Sequence, residues 1–162
     1  LCYRVPREPS TPRIAVWRSL KRLGVAQIGD GVVALPADAR TREQLEWVAA
    51  DVERAGGTAL LWTATPTSAQ RARELAEQLR TARAAEYGAV VTAAGLARAD
   101  EPAARKGALR QLRGELRRIE RRDYFPPADR AAARAAVRAL AESVTGAAPP
   151  ALEPDDAAAE RG

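Results

Sequence analysis

Glycine and proline cut residues 1–65 into pieces short enough that only a small mixed fold can be built from them. Leu1 to Val5 reads as a strand, stopped by Pro6 and Pro9. Thr11-Pro12 starts a helix, because Thr caps and Pro suits the first helical position. That helix runs to about Leu23, with Gly24 placed for a left-handed C-cap. Val16, Leu20 and Leu23 form its apolar arc, flanked by Trp17, while Arg18, Lys21 and Arg22 lie opposite. Val25 to Ile28 and Val32 to Leu35 bracket Gly29-Asp30-Gly31, the pattern of a β-hairpin that Pro36 closes. Thr41-Arg42-Glu43-Gln44 has capping-box form and opens a second helix with Leu45, Val48, Ala49 and Val52 on its inner stripe. Gly56-Gly57 ends it, and Thr58 to Thr63 reads as a strand around Trp62. The order β-α-β-β-α-β is ferredoxin-like: an α+β core with a four-stranded antiparallel sheet and two helices on one face.

Beyond residue 65 the pattern is helical. Pro66 to about Tyr87 carries Ala72, Leu75, Leu79 and Ala82 at helical spacing, extended by Val90 to Leu96 with Gly95 as a stop. Ala103 to Arg122 is a strongly basic helix, Asp123-Tyr124-Phe125-Pro126-Pro127 breaks the chain, and Ala128 to Val144 is an alanine-rich helix ended by Gly146. The expected organisation is a ferredoxin-like core over 1–65, a helical extension over 66–146 and a disordered, Pro-, Ala- and acid-rich tail over 147–162. With aromatics at only 4%, Trp17, Trp47 and Trp62 are expected as the largest pieces of the core.

Several kinds of chemistry are excluded by what the chain lacks. It contains no histidine and one cysteine, Cys2. Serine–histidine and cysteine–histidine catalysis and the usual Cys/His zinc sites are therefore unavailable. Cys2, in a strand, reads as a small buried hydrophobe. Ferredoxin-like nucleases that bind metal at the end of the first strand need an acid there; this chain has Arg4, and a cation opposes Mg²⁺. No enzyme activity, cofactor or metal is expected. No apolar run approaches the ~18–20 residues that span a bilayer, and Arg4, Arg7 and Glu8 interrupt any signal-peptide pattern. A cytoplasmic protein is the expectation.

The basic helix carries the functional signal. At 100° per residue, Leu109, Leu112, Leu116 and Ile119 share an arc of about 80°. Lys106, Arg110, Arg113, Arg117 and Arg121 occupy a neighbouring arc of about 80°, a ridge of roughly 22 Å at 1.5 Å rise per residue. Lys106–Arg110, Arg113–Arg117 and Arg117–Arg121 are like-charge pairs at i,i+4, each destabilising an isolated helix by a few tenths of a kcal/mol. Selection for stability alone would place Glu among them. A polyanion removes the repulsion and gains from counterion release. The alternatives are a solvated helix face, or a protein-interaction module whose apolar stripe packs on an acidic partner.

Tyr3-Arg4-Val5-Pro6-Arg7-Glu8-Pro9, followed by Val16-Trp17-Arg18-Ser19-Leu20-Lys21-Arg22-Leu23-Gly24, resembles the N-terminal domain of the ChrB family of chromate-resistance proteins. Asp30-Gly31-Val32-Val33-Ala34-Leu35-Pro36, Thr41-Arg42-Glu43-Gln44-Leu45-Glu46-Trp47, Gly56-Gly57 and Arg121-Arg122-Asp123-Tyr124-Phe125 extend the resemblance over roughly residues 1–125. The first half is more distantly similar to the central domain of PaaX-type repressors. The resemblance implies a DNA-binding transcriptional regulator linked to chromate resistance. By position it nominates Arg18, Lys21, Arg22 and the arginines of 105–122 as DNA contacts, and the helical projection adds Lys106 to the ridge of Arg110, Arg113, Arg117 and Arg121. Double-stranded DNA is the expected partner, with a homodimer and chromate as an effector both left open. Longer members continue into a second domain associated with the chromate response, for which the short tail expected over 147–162 does not provide.

Overall fold

A computed structural model describes residues 1–146. The tail expected over 147–162 lies outside the described residues. Nine elements follow one another: β1 (Cys2–Arg4), α1 (Ser10–Leu23), β2 (Ala26–Gly29), β3 (Val32–Ala34), α2 (Ala39–Arg54), β4 (Thr58–Leu60), α3 (Ala69–Ala97), α4 (Pro102–Glu120) and α5 (Asp129–Thr145). The four strands form one sheet in the order β2-β3-β1-β4, with every pairing antiparallel. This is the α+β arrangement read from the sequence, followed by a helical second half.

The local signals account for most element ends. Gly24 closes α1 at φ 68, and its N–H donates to the Leu20 and Lys21 carbonyls. Gly31 turns the β2–β3 hairpin at φ 72, and a Cβ there would lie 2.3 Å from the Tyr3 carbonyl oxygen. Only glycine fits that approach, because the Tyr3 N–H donates to the Gly31 carbonyl at 2.7 Å.

Helix starts depart from expectation. Helix α1 begins at Ser10 after Pro9, with no side-chain cap, so Thr11 is not the cap and Pro12 lies inside the first turn. Proline is tolerated there because first-turn N–H groups have no intrahelical partner. Helix α2 is capped by Asp38, not Thr41. The Thr41 N–H donates to Asp38 Oδ1 at 2.8 Å, and the Asp38 N–H donates to Thr41 Oγ1 at 3.2 Å. Thr41 is thus the third-position half of a reciprocal box.

Two cores result. Val16, Leu20, Val33, Leu45, Val48 and Val52 bury α1 and α2 against the sheet. Tyr87, Val90, Ala94, Leu112, Ile119 and Leu140 build a second core among α3, α4 and α5. The tryptophans belong to neither: Trp17, Trp47 and Trp62 are 54%, 65% and 65% exposed. Helical spacing explains two of them. The inward stripe of α2 is Thr41, Leu45, Val48 and Val52, and Trp47 lies off it. Trp17 is likewise off the Val16–Leu20 row. Trp62 lies beyond β4, whose pairing stops at Leu60 opposite Cys2 instead of continuing to Thr63. Cys2 is half-buried, not enclosed.

Helix α3 joins the two cores. Its 29 residues run through Gly88 and Gly95, which do not stop it. Near its start, Gln78 Nε2 donates to the β2 residue Gln27. Further along, Tyr87, Val90, Ala94 and Ala97 sit in the second core. Ala94, Ala97 and Ala133, all at most 5% exposed, let the helix backbones approach closely.

Candidate nucleic-acid interface

Helix α4 has N-cap Glu101 and Pro102 at its first position, where a missing N–H costs nothing. Its apolar stripe is used inside the chain: Leu109, Leu112 and Ile119 are buried, and Leu116 packs against them. Burial of each such side chain contributes roughly 1.5–3 kcal/mol, so α4 is held firmly with one orientation. The neighbouring arc then has to face outward. Lys106, Arg110, Arg113, Arg117 and Arg121 are all exposed. Among the described residues none of the five forms an ion pair. The acids of α4 are committed elsewhere. Glu115 pairs with Arg118, and Glu120 takes Arg134 at 2.6 Å and Arg130 at 3.7 Å. The like-charge pairs along the ridge therefore keep their repulsion.

A groove of about 620 Å³ runs along this ridge. Lys106, Arg110, Arg113 and Arg117 form one wall, and Ala141, Val144 and Thr145 at the end of α5 form the other. The end of α5 lies beside the start of α4, because Arg105 Nη1 donates to the Ser143 carbonyl at 3.1 Å.

The α1 cations are exposed too. Arg22 Nη2 donates to Ser19 Oγ at 2.9 Å, and Lys21 Nζ stands 4.9 Å from the centre of the Trp17 ring. Arg18 is exposed and joins none of the ion pairs among the described residues. The last turn of α1 meets the chain leaving α4. Arg122 Nη1 donates to the Lys21 carbonyl at 3.1 Å, and the Tyr124 hydroxyl donates to the Leu23 carbonyl at 3.2 Å. The two cationic helices are thereby linked at their C-terminal ends.

Not every arginine of 105–122 is free for a ligand. Arg105 donates to the Ser143 and Asp100 carbonyls, Arg118 pairs with Glu115, and Arg122 is turned inward. Arg122 belongs to a buried polar network that sequence reasoning missed. Arg83, 6% exposed, and Arg122 share Glu86: Arg83 Nε lies 3.1 Å from Oε2, and Arg122 Nη2 lies 3.0 Å from Oε1. Asp123, whose side chain is fully buried, accepts from the Tyr87 hydroxyl at 2.8 Å and lies 3.8 Å from Arg130. Burial holds the Arg83 guanidinium below its ordinary value, against the opposing pull of Glu86. Burial also pushes the Tyr87 hydroxyl up, reinforced by its hydrogen bond to Asp123. The network bridges α3, the α4–α5 connection and the end of α1. The one sequence signal for it was the run Arg121-Arg122-Asp123-Tyr124-Phe125 in the family resemblance.

A second concavity, about 890 Å³, opens between the β2–β3 hairpin, the start of α2 and the first half of α3. Ile28, Leu35, Trp62, Leu75 and Phe125 make it largely apolar. Among the described residues no three His, Cys, Asp or Glu side chains gather into a metal-binding group. None of the described helices is long and apolar enough to cross a membrane.

Comparison with known families adds identity to this geometry. A family model described as "Protein ChrB, N-terminal" matches residues 13–100, more than half of the chain. The chain belongs to the ChrB N-terminal family. Membership associates it with chromate resistance. The matched stretch begins in α1, includes Arg18, Lys21 and Arg22, and ends just after α3. The ridge of α4 lies beyond it. Neither curated proteins nor solved structures gave a match.

Proposed function

We propose that this member of the ChrB N-terminal family is a non-enzymatic, cytoplasmic, DNA-binding regulator whose α4 ridge contacts duplex phosphates, assisted by Arg18, Lys21 and Arg22 of α1. One observation carries the reading. Five exposed cations stand on one side of α4 with no acid paired to them among the described residues, while the apolar stripe beside them is buried. A helix that keeps like-charge neighbours at i,i+4 sacrifices stability, and a phosphate backbone recovers it by charge neutralisation and counterion release. The buried stripe also weakens the reading as a protein-interaction module. An acidic partner would meet the arginines alone, because the leucines are already occupied.

Fluorescence anisotropy of a labelled duplex across a salt series tests the proposal. Five phosphate contacts from the ridge give a slope of log K against log salt near −4.5, and the three α1 cations steepen it toward about −7, taking about −0.9 per contact. Arg110→Glu/Arg113→Glu/Arg117→Glu should abolish binding at low salt with far-ultraviolet circular dichroism unchanged. Equal binding by this variant and the parent would sink the idea, and so would no binding by the parent at low salt.

A further inference from the structure

The groove beside the ridge is half apolar, which phosphates alone do not explain. Its second wall is Ala141, Val144 and Thr145, the last residues of α5. The helix ends at Gly146 with φ 73, one residue beyond the groove residue Thr145. The chain that follows carries four acids, Glu153, Asp155, Asp156 and Glu160, against one cation, Arg161. Leu152 is its largest apolar residue.

We propose that segment 152–156, Leu-Glu-Pro-Asp-Asp, docks in this groove within the same molecule and competes with polyanions for the ridge. Glu153, Asp155 and Asp156 meet Lys106, Arg110, Arg113 and Arg117, and Leu152 covers the apolar wall of Ala141 and Val144. Reach allows it. From Gly146, Leu152 is up to roughly 20 Å away and Asp156 up to roughly 33 Å at ~3.3 Å per residue. The distance from Lys106 to Arg117 along the helix is about 16 Å. The short tether sets an effective concentration in the millimolar range, so a contact too weak to hold two separate molecules still competes. Pro149, Pro150 and Pro154 limit the conformations lost on docking. The docking itself stands on geometry and charge; its regulatory meaning rests on the DNA-binding reading above.

Zero-length carbodiimide coupling separates the two. Lys21 and Lys106 are the only lysines in the chain, and only Lys106 lines the groove. In DNA-free protein at low salt, mass spectrometry of the monomer should find an amide between Lys106 and Glu153, Asp155 or Asp156. Its yield should be independent of protein concentration and should fall in high salt. Absence of that amide, equal coupling of the segment to Lys21, or amides only between two copies would overturn the docking. In the full-length variant Glu153→Gln/Asp155→Asn/Asp156→Asn, duplex affinity should rise roughly three- to tenfold at low salt and converge with the parent at high salt. A parent that forms the amide but binds no duplex would refute the regulator reading and leave the docking intact. Duplex binding without the amide would do the reverse.

Discussion

Gly24 is a position where no side chain fits. Its φ of 68 favours glycine, and a Cβ would meet Arg83 Nη1 at 2.1 Å. Gly24→Ala should therefore destabilise the fold by about 2–3 kcal/mol, through left-handed strain and displacement of a buried guanidinium; urea unfolding measures it. Tyr87 gives a second residue-scale expectation. Its folded-state pKa is raised above the ordinary 10.0. A raised pKa means that the stabilisation is complete below about pH 10 and is lost as pH climbs through the folded value. Tyr87→Phe should cost about 1–3 kcal/mol at neutral pH, since it removes the hydrogen bond to the buried Asp123 carboxylate and leaves it only Arg130 at 3.8 Å. The variant should also lose the corresponding part of the decline in melting temperature above pH 10.

For single elements the test is whether α4 trades stability for charge. Arg113 has Arg110 three residues before it and Arg117 four residues after it, and all three are exposed. Arg113→Glu converts two repulsive pairs into attractive ones away from the helix ends and should stabilise the protein by about 0.5–1 kcal/mol. The same variant should bind duplex DNA more weakly. Melting temperature rising while duplex affinity falls would be the signature; a destabilised variant would mean that the charge row costs the helix no stability. At this scale the sequence was legible wherever a short-range rule governs. Gly24, Gly31 and Gly146 mark element ends by backbone geometry, and the leucine and arginine rows of α4 follow from helical spacing. The Asp38–Thr41 cap was also within reach, but Thr41-Arg42-Glu43-Gln44 offered a competing capping pattern.

Across the whole molecule, the link between the cores was not legible. Arg122 reaches Lys21 across 101 residues of chain, and Asp123 reaches Tyr87 across 36. Neither separation leaves a periodic trace. The tryptophans misled for a related reason: size suggests burial, but helical phase and strand length decide it. The exposure of Arg18, Lys21, Arg22 and the five ridge residues follows from helical rows, which the sequence carries. The internal engagement of Arg105 and Arg122 depends on tertiary packing. The Arg83–Glu86–Arg122 cluster should make the two cores unfold together. Glu86→Ala leaves buried Arg83 and half-buried Arg122 without their shared carboxylate and should cost about 1–3 kcal/mol. Tryptophan fluorescence reports only the sheet half, where Trp17, Trp47 and Trp62 lie, while circular dichroism is dominated by the helices. The two melting curves should coincide in the parent and separate in the variant.

Helix α3 also has a mechanical consequence. At 1.5 Å per residue, its 29 residues make a rod of about 43 Å. One end borders the apolar cleft at the sheet, and the other carries the packing of α4. Pivoting this rod by about 5° at the sheet would sweep its far end through roughly 4 Å, close to the 3.4 Å rise between successive phosphates of one DNA strand. Pulsed electron resonance between spin labels on α2 and α4 would measure that displacement directly.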